Sequence, residues 1–317
     1  MLVKPMLVAA ITEGMPKWDV EQAPWNCHRA HIEESGVNIT LIPAERMDWS
    51  RRFDAMLLHI WLDWDNPKRY NPQRILPVFA KYAEYRSRFP TTVQIICNHT
   101  DMVGRPYAIP YWRKGDPVLY KIPPYDRSVL TPFPEADIWP WELAYNSTYG
   151  RHLAFSKINE DLSAAFVGTP SGPQDYRARV AEFTNRVGIG LCVNEKIPQG
   201  KYDEIMSRAR IIVCPRGWGE SSSRHWDSWR SGKVVLTDAD CDAVEMIPGQ
   251  RLREGIHYLV YRDPTEIPDI VSDWTKRSRI DELDEIARAG QLAATGFNGA
   301  IWITQFFEKL RNGLQNS

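Results

Sequence analysis

The sequence has no excess of either charge: 39 lysines and arginines stand against 40 aspartates and glutamates, a formal net charge of -1. No global field draws such a chain to nucleic acid or to an anionic membrane, so a partner of that kind would have to be held by a local patch. Cysteine is sparse and unpatterned. The residues Cys27, Cys97, Cys192, Cys214 and Cys241 are odd in number and contain no C-x-x-C, which argues against a disulfide framework or a zinc ribbon and fits reduced thiols in a cytoplasmic protein. No apolar run approaches the length of a membrane span. The opening MLVKPMLVAAI is too short and too poor in basic residues for a signal peptide and reads as a first strand. The segment AITEGMPKWD at the end of that strand lacks the G-x-G-x-x-G fingerprint that a nucleotide-sugar epimerase or dehydrogenase would carry there. Internal repeats, low-complexity tracts, helix-turn-helix patterns and zinc fingers are also missing.

What is present is a soluble α/β pattern. At 317 residues the chain is long for a single core and suits two domains, and 43% hydrophobic with 25% charged residues is a globular balance. Thirteen tryptophans are many for this length; aromatic faces suit sugar rings or bases, but packing in a core is their commoner use. MLVAAI (6–11), VNITLIP (37–43), AMLLHIWL (55–62) and TVQIICNH (92–99) read as strands buried on both faces. Between the last two, residues 72–89 repeat Ile75, Phe79, Tyr82 and Tyr85 at helical spacing. A second series begins at AAFVG (164–168) and continues through IGLCV (189–193), IIVCP (211–215), KVVLTDAD (233–240) and HYLVY (257–261), with helical segments between. Strand and helix in alternation without hairpin signals predict parallel sheets. The expected fold is α/β, with two Rossmann-like domains facing a cleft. The N-terminal domain spans 1–157 and the C-terminal one 158–295, and 296–317 form a helix that packs back on the first domain.

From Thr100 to Trp141 the periodicity dissolves into proline, tyrosine and charge, which in a compact domain points to function or mobility. Residues 105–127 interleave Arg105, Arg113, Lys114, Lys121 and Arg127 with Tyr107, Tyr111, Trp112, Tyr120 and Tyr125, against only Asp116 and Asp126. Basic and aromatic residues in alternation hold phosphates and stack bases, and they stack equally well on sugars. Tyr111, Trp112, Arg113 and Lys114 are therefore candidates for binding either DNA or a glycan.

The chemistry concentrates in CPRGWGESSSRHWDSWRSGKVVLTD, Cys214 to Asp238, where a parallel strand gives way to a helix. The first turn of a helix exposes unpaired N–H groups and the positive end of its dipole, so an anion is stabilised there. Gly217 and Gly219 let the backbone turn tightly, and Ser221, Ser222 and Ser223 can cap the helix or donate hydroxyls. Arg216 and Arg224 offer planar, permanently charged forks for a diphosphate, and Asp227 can accept from two ribose hydroxyls. Taken singly, a serine cap or an arginine on a solvated face needs no ligand. It is the combination between two buried strands that points to one.

This run resembles the C-terminal half of exostosin-like and related GT-B (group 1-like) glycosyltransferases. Their pattern is Pro-Arg-Gly, then Ser-Arg, an acid three residues later and a glycine before the next strand. Pro215-Arg216-Gly217, Ser223-Arg224, Asp227 and Gly232 line up with it. The family commonly has Glu where this chain has Asp227, one methylene shorter. AAFVGTPSGPQDYRARV is similar to the start of the family's nucleotide-binding domain, with Gly168 at its first turn, and residues 254–274 are similar to its late strand and helix. The resemblance covers Ala164 to Trp274; the N-terminal half matches in architecture alone.

The resemblance implies sugar transfer from a nucleoside-diphosphate sugar, the co-substrate, to an acceptor hydroxyl, with no cofactor. Arg216, Ser223 and Arg224 would meet the phosphates, Asp227 the ribose, and Arg177 would add charge or simply sit on a solvated helix face. The helix dipole and guanidinium groups would do for the leaving diphosphate what Mg²⁺ does elsewhere. A divalent metal is the alternative, since DWD (63–65) and DAD (238–240) each follow a strand. An inverting transfer also needs a general base. His99 with Asp101 at the end of the fourth strand is the best-placed pair, ahead of His59 with Asp63 and then Glu13; a retaining transfer needs none. A non-catalytic two-lobed protein that closes on a sugar or nucleotide is the other reading.

Overall fold

The structure, a computed structural model, describes residues 5–13, 23–60, 72–98, 116–120, 138–140, 160–169, 175–195, 197–216, 222–241, 246–247 and 249–315. The chain separates into two compact units, one made of 1–122, 126–148 and 298–317, the other of 123–125 and 149–297.

The first unit is built on six parallel strands: β1 (Met6–Glu13), β2 (Val37–Pro43), β3 (Ala55–Ile60), β4 (Val93–Asn98), β5 (Val118–Tyr120) and β6 (Ile138–Pro140), ordered β2-β1-β3-β4-β5-β6. Val8, Ala9, Ala10 and Ile11 of β1 and Ala55, Met56, Leu57 and Leu58 of β3 are all buried, as continuous apolar runs covered on both faces must be. The last two strands lie in the stretch where the sequence shows no period. Three residues are too few to display one, so pairing of β5 with β4 and of β6 with β5 decides their conformation. Among the described residues, the helices that accompany this sheet before the second unit are α1 (Pro24–Cys27), α2 (Arg29–Glu34) and α3 (Pro72–Arg88). Of the stripe expected on α3, Phe79, Tyr82 and Tyr85 are buried, joined by Val78. Tyr85 donates its hydroxyl to Arg51 O at 2.9 Å and accepts from Phe53 N at 2.8 Å, which ties the helix to the start of β3.

The second unit carries five parallel strands: β7 (Leu162–Gly168), β8 (Gly188–Cys192), β9 (Ala209–Cys214), β10 (Val234–Thr237) and β11 (Leu259–Val260), ordered β11-β10-β9-β7-β8. Its helices are α4 (Tyr176–Thr184), α5 (Gln199–Arg208), α6 (Ser223–Arg230), α7 (Ile267–Trp274) and α8 (Ile280–Gly296). Phe166, Val213, Leu236, Tyr261, Leu283 and Ile286 belong to one core between sheet and helices. At the amino edge of the sheet, Lys233 is fully buried and donates to Glu160 Oε1 at 2.8 Å and to Ser207 O at 2.7 Å. A buried ammonium is tolerated only when it is paired and hydrogen-bonded in this way.

Tryptophan is used for packing where it is described: Trp25, Trp226 and Trp229 are among the largest fully buried side chains. Trp229 donates to His257 O at 3.0 Å, and Phe297 meets Trp226 edge-on at 5.7 Å between ring centres.

Helix α6 ends at Gly232, whose φ of +66° lies in the left-handed region. Gly232→Ala would add a Cβ at 3.2 Å from Gln291 Oε1, a flexible contact, so the backbone conformation dominates the cost. A loss of about 1 kcal/mol is expected, read from the midpoint of denaturant unfolding.

The last helix, α9 (Gly299–Gln315), belongs to the first unit, where it packs on α1, α2 and β2 and Arg311 donates to Ser35 O.

Candidate functional site

In an open parallel sheet, ligands bind beyond the carboxyl ends of the strands where the chain reverses its direction of strand addition. In the second unit β7 is flanked by β8 on one side and β9 on the other, so that reversal falls between β7 and β9. The register sets Gly168 beside Cys192 and Cys214 beside Thr237, so these four residues mark the carboxyl edge. The helix following β9 is α6, and it brings the serine- and arginine-rich segment to that edge.

The helix opens later than its first serine suggests. Ser222, in an extended conformation (φ -140°, ψ 157°), is the N-cap, and Ser223 begins the helix. Arg224, at the second helical position, reaches back across the reversal point. Its Nη2 donates to Val167 O at 2.6 Å, and its guanidinium lies 5.0 Å over the Phe166 ring. A Cβ built on Gly168 would stand 2.8 Å from Phe166 Cζ and 3.2 Å from Arg224 Nη2, so a side chain there would crowd the phenyl ring and the guanidinium that lies over it.

The other two nitrogens of that guanidinium carry the main clue. Arg224 Nε and Nη1 are both buried and have no hydrogen-bond partner among the described residues. Leaving a buried charged donor unmet costs roughly 1–3 kcal/mol or more per group, so such a residue is usually held ready for an anion. A second cation lies beside it. Burial lowers the pKa of Arg177 from its usual value, and the neighbouring charge of Arg224 lowers it further. Arg177 Nε also donates to Arg216 O at 3.4 Å. Helix placement half-buries Arg177 at this edge, so it is not simply a residue on a solvated face.

Arg216 is placed differently. Its Nε lies 2.9 Å from Asp238 Oδ2 and its backbone N–H donates to Asp238 Oδ1 at 2.9 Å. Tyr176 also donates to Asp238 Oδ2, at 2.8 Å. Both carboxylate oxygens of Asp238, the first acid of DAD (238–240), therefore serve protein donors. Among the described residues no group of three or more His, Cys, Asp or Glu is arranged to hold a metal.

Asp227 is buried one turn into α6. Tyr202 of α5 adjoins it: burial pushes this phenol up to about 12, with Arg224 opposing the rise and Asp227 adding to it. Asp227 and Arg224 of α6 thus form one cluster with Tyr202 of α5.

The sequence pattern does not single out His225, yet this residue organises the segment. Ser222 N–H donates to His225 Nδ1 at 3.1 Å, and His225 Nε2 lies 2.9 Å from Thr237 Oγ1. Thr237 gives its only hydroxyl proton to Cys214 O at 2.8 Å, so it must accept from the histidine. The imidazole is therefore neutral with its proton on Nε2. Burial, with Arg224 adding to it, lowers its pKa to about 3. The spacing of a cap residue and an acceptor three positions on is a sequence signal that could have found it.

The remaining candidates, His99, Asp101, Tyr111, Trp112, Arg113, Lys114, Gly217 and Ser221, lie outside the described residues, as do Asp63 and Asp65. For Ser223 only the backbone position is described. In the first sheet the corresponding reversal falls between β1 and β3, where Thr12 pairs with His59 and Glu13 with Ile60.

Two parallel sheets of this kind in one chain, matched over nearly its whole length by solved glycosyltransferases, define a GT-B fold. One such structure is that of HepE from Anabaena in complex with UDP-glucose, with a TM-score of 0.54 at 10% identity over 98% of this chain and 100% of that one. An alpha-glucosyltransferase in complex with UDP and a 13-mer DNA containing an HMU base has a TM-score of 0.54 at 9% identity, covering 97% and 100%. Sucrose-phosphate synthase from Thermosynechococcus elongatus has 0.52 at 11%, also covering 97% and 100%. At such identities the likeness is one of fold, and it does not single out the exostosin-like subtype. No family model matches the chain, and no curated protein sequence matches it. Among the described residues, no helix is long and apolar enough to cross a membrane.

Proposed function

We propose that the chain is a glycosyltransferase that moves a sugar from a nucleoside-diphosphate sugar to an acceptor hydroxyl. The observation that carries this reading is the pair of buried, unmet donors on Arg224, at the reversal point of the second sheet and the opening of α6. A diphosphate there meets the planar fork of Arg224, the charge of Arg177 and the first N–H groups of the helix. These groups stabilise the charge that develops on the leaving diphosphate as the glycosidic bond to the sugar breaks, and no step needs a resident metal. Arg216 contributes from its ion pair with Asp238, Ser222 and Ser223 from the cap, Gly168 by admitting the ligand to the strand end, and Asp227 through the ribose. Gly217 and Ser221 complete the donor loop.

The second unit is accordingly the donor domain and the first the acceptor domain. His99 with Asp101 takes the acceptor proton, while Tyr111, Trp112, Arg113 and Lys114 bind the acceptor, a glycan or a hydroxymethylated base in DNA. Solved chains of this fold include one in complex with UDP-glucose, which supports a nucleotide-sugar donor, and one with UDP and HMU-containing DNA, which supports the DNA acceptor.

The test is a thermal-shift screen of nucleoside-diphosphate sugars, with the best donor then offered to glycans and to hydroxymethylated DNA. Expected are release of nucleoside diphosphate and a labelled acceptor. Binding of a donor with neither hydrolysis nor transfer would establish the two-lobed binding protein instead.

A further inference from the structure

Thr237, the last residue of β10, and Asp238, which follows it, reach opposite ends of one segment. Asp238 holds the backbone N–H and the Nε of Arg216, each at 2.9 Å. Thr237 accepts from His225 Nε2 at 2.9 Å, and His225 in turn accepts the backbone N–H of Ser222 at 3.1 Å. Arg216 is where the chain leaves β9, and Ser222 is where it enters α6. Both stems of the anion-binding segment are thus tied to one dipeptide at the end of the neighbouring strand.

We propose that Thr237 and Asp238 are positioning residues of the donor site, a two-pronged clamp that fixes the opening of α6 relative to the end of β9, with His225 as the relay on one side. The inference rests on the donor-site reading above and adds to it residues that need not touch the ligand. Each link is determined by hydrogen-bond chemistry. Thr237 Oγ1 has a single proton, committed to Cys214 O at 2.8 Å, and it also accepts from Ala239 N at 3.1 Å. His225 Nδ1 faces an N–H that can only donate, so its proton sits on Nε2 and points at Thr237. No member can rotate without leaving a buried polar atom unmet, since Thr237 and His225 are 0% and 1% exposed. On the other prong Tyr176 adds a third donor to Asp238 at 2.8 Å, which locks the carboxylate that holds Arg216. Donors aimed at a diphosphate act only when held to within about 0.5 Å of the productive geometry, and a strand end in mid-sheet is stiff enough to hold them.

The experiment compares the full-length protein with Thr237→Val, Thr237→Ser and Asp238→Asn. Binding of UDP, GDP, dTDP and inorganic pyrophosphate is measured by calorimetry, and the histidine tautomer by nitrogen-15 NMR. Thr237→Val removes the acceptor of His225 Nε2–H while keeping the side chain's shape; Thr237→Ser keeps the hydroxyl. Affinity for the best probe is expected to fall about five- to twentyfold in Thr237→Val and to return to within about twofold in Thr237→Ser, with the Nε2–H resonance of His225 losing its hydrogen-bond shift in the first and keeping it in the second. Asp238→Asn is expected to raise donor KM more than it lowers kcat. A merely structural role would lower the active fraction, and hence apparent kcat, at constant KM. Should Thr237→Val not fold, Asp238→Asn carries the same comparison. If the unmodified protein binds a probe and both Thr237→Val and Asp238→Asn bind it equally well, the clamp is overturned while the donor site stands. If the unmodified protein binds none of the four probes, the donor reading fails and the clamp with it.

Discussion

Arg224→Ala should weaken the binding of a nucleoside diphosphate by about 10- to 100-fold, the scale expected for removing hydrogen bonds made by a charged donor to an anion. The side chain has two separable tasks. Nη2 spans to Val167 O at 2.6 Å and the guanidinium covers Phe166, which holds the helix opening against β7. Nε and Nη1 make no hydrogen bond among the described residues, with the Tyr202 hydroxyl the protein oxygen that competes for this guanidinium. Truncation removes both tasks, so some stability is lost as well as affinity. Arg224→Lys keeps the charge but not the fork, and it should recover only part of the affinity. Calorimetry with the nucleotide, beside an unfolding curve for each variant, separates the two contributions. Unchanged affinity in a folded Arg224→Ala protein would remove this residue from the ligand site and take with it the main support for sugar transfer.

The second large effect is on stability in acid. His225 binds a proton in the folded protein only near pH 3, whereas an unfolded histidine does so near its usual 6.5. Between those values the unfolded chain holds the extra proton, so stability rises with pH across the window. The contribution is complete above about pH 6.5 and is lost as the pH falls toward 3, at about 1.4 kcal/mol per pH unit. From pH 6.5 to 4.5 the loss should be about 2–3 kcal/mol from this residue. The balance of groups around the ring agrees with that sign. Arg224 and Arg177 add to the effect of burial by repelling a second positive charge, and these outweigh the backbone hydrogen bonds with Ser222 and Cys214, which act the other way. His225→Gln should be less stable at neutral pH and should flatten the slope of urea-unfolding stability against pH in this interval. Parallel slopes in the two proteins would show that His225 is not the group responsible.

Both effects originate in a segment whose chemistry was largely visible in the sequence, although its internal connections were not. The serines, the two arginines and the acid are what the proposed anion site is read from, by their types and their place between two apolar runs. Phe166, Val213 and Leu236 made those runs legible, since strands covered on both faces need no alternation. The clamp was hidden for a different reason. Thr237 and His225 are 12 residues apart, and they meet only because β10 lies beside β9 in a register that no local pattern encodes. Asp238 was legible only in part: between Thr237 and Ala239 it reads as half of a metal-binding triplet, and only the fold reveals that an arginine and a tyrosine claim both its oxygens. Strands β5 and β6 escaped because three residues cannot show a period of two convincingly. Arg177 could have been read either way until its burial beside Arg224 was known.

Helix α9 has a bearing on how the molecule is made. Its buried Trp302, Ile303, Phe306 and Phe307 complete a unit whose first strand begins at Met6. A ribosome therefore delivers the whole of the second unit before it delivers the piece that seals the first. During that interval the surfaces of α1, α2 and β2 have nothing from the C-terminal segment to cover them, and the nascent chain must stay soluble with part of its interior uncovered.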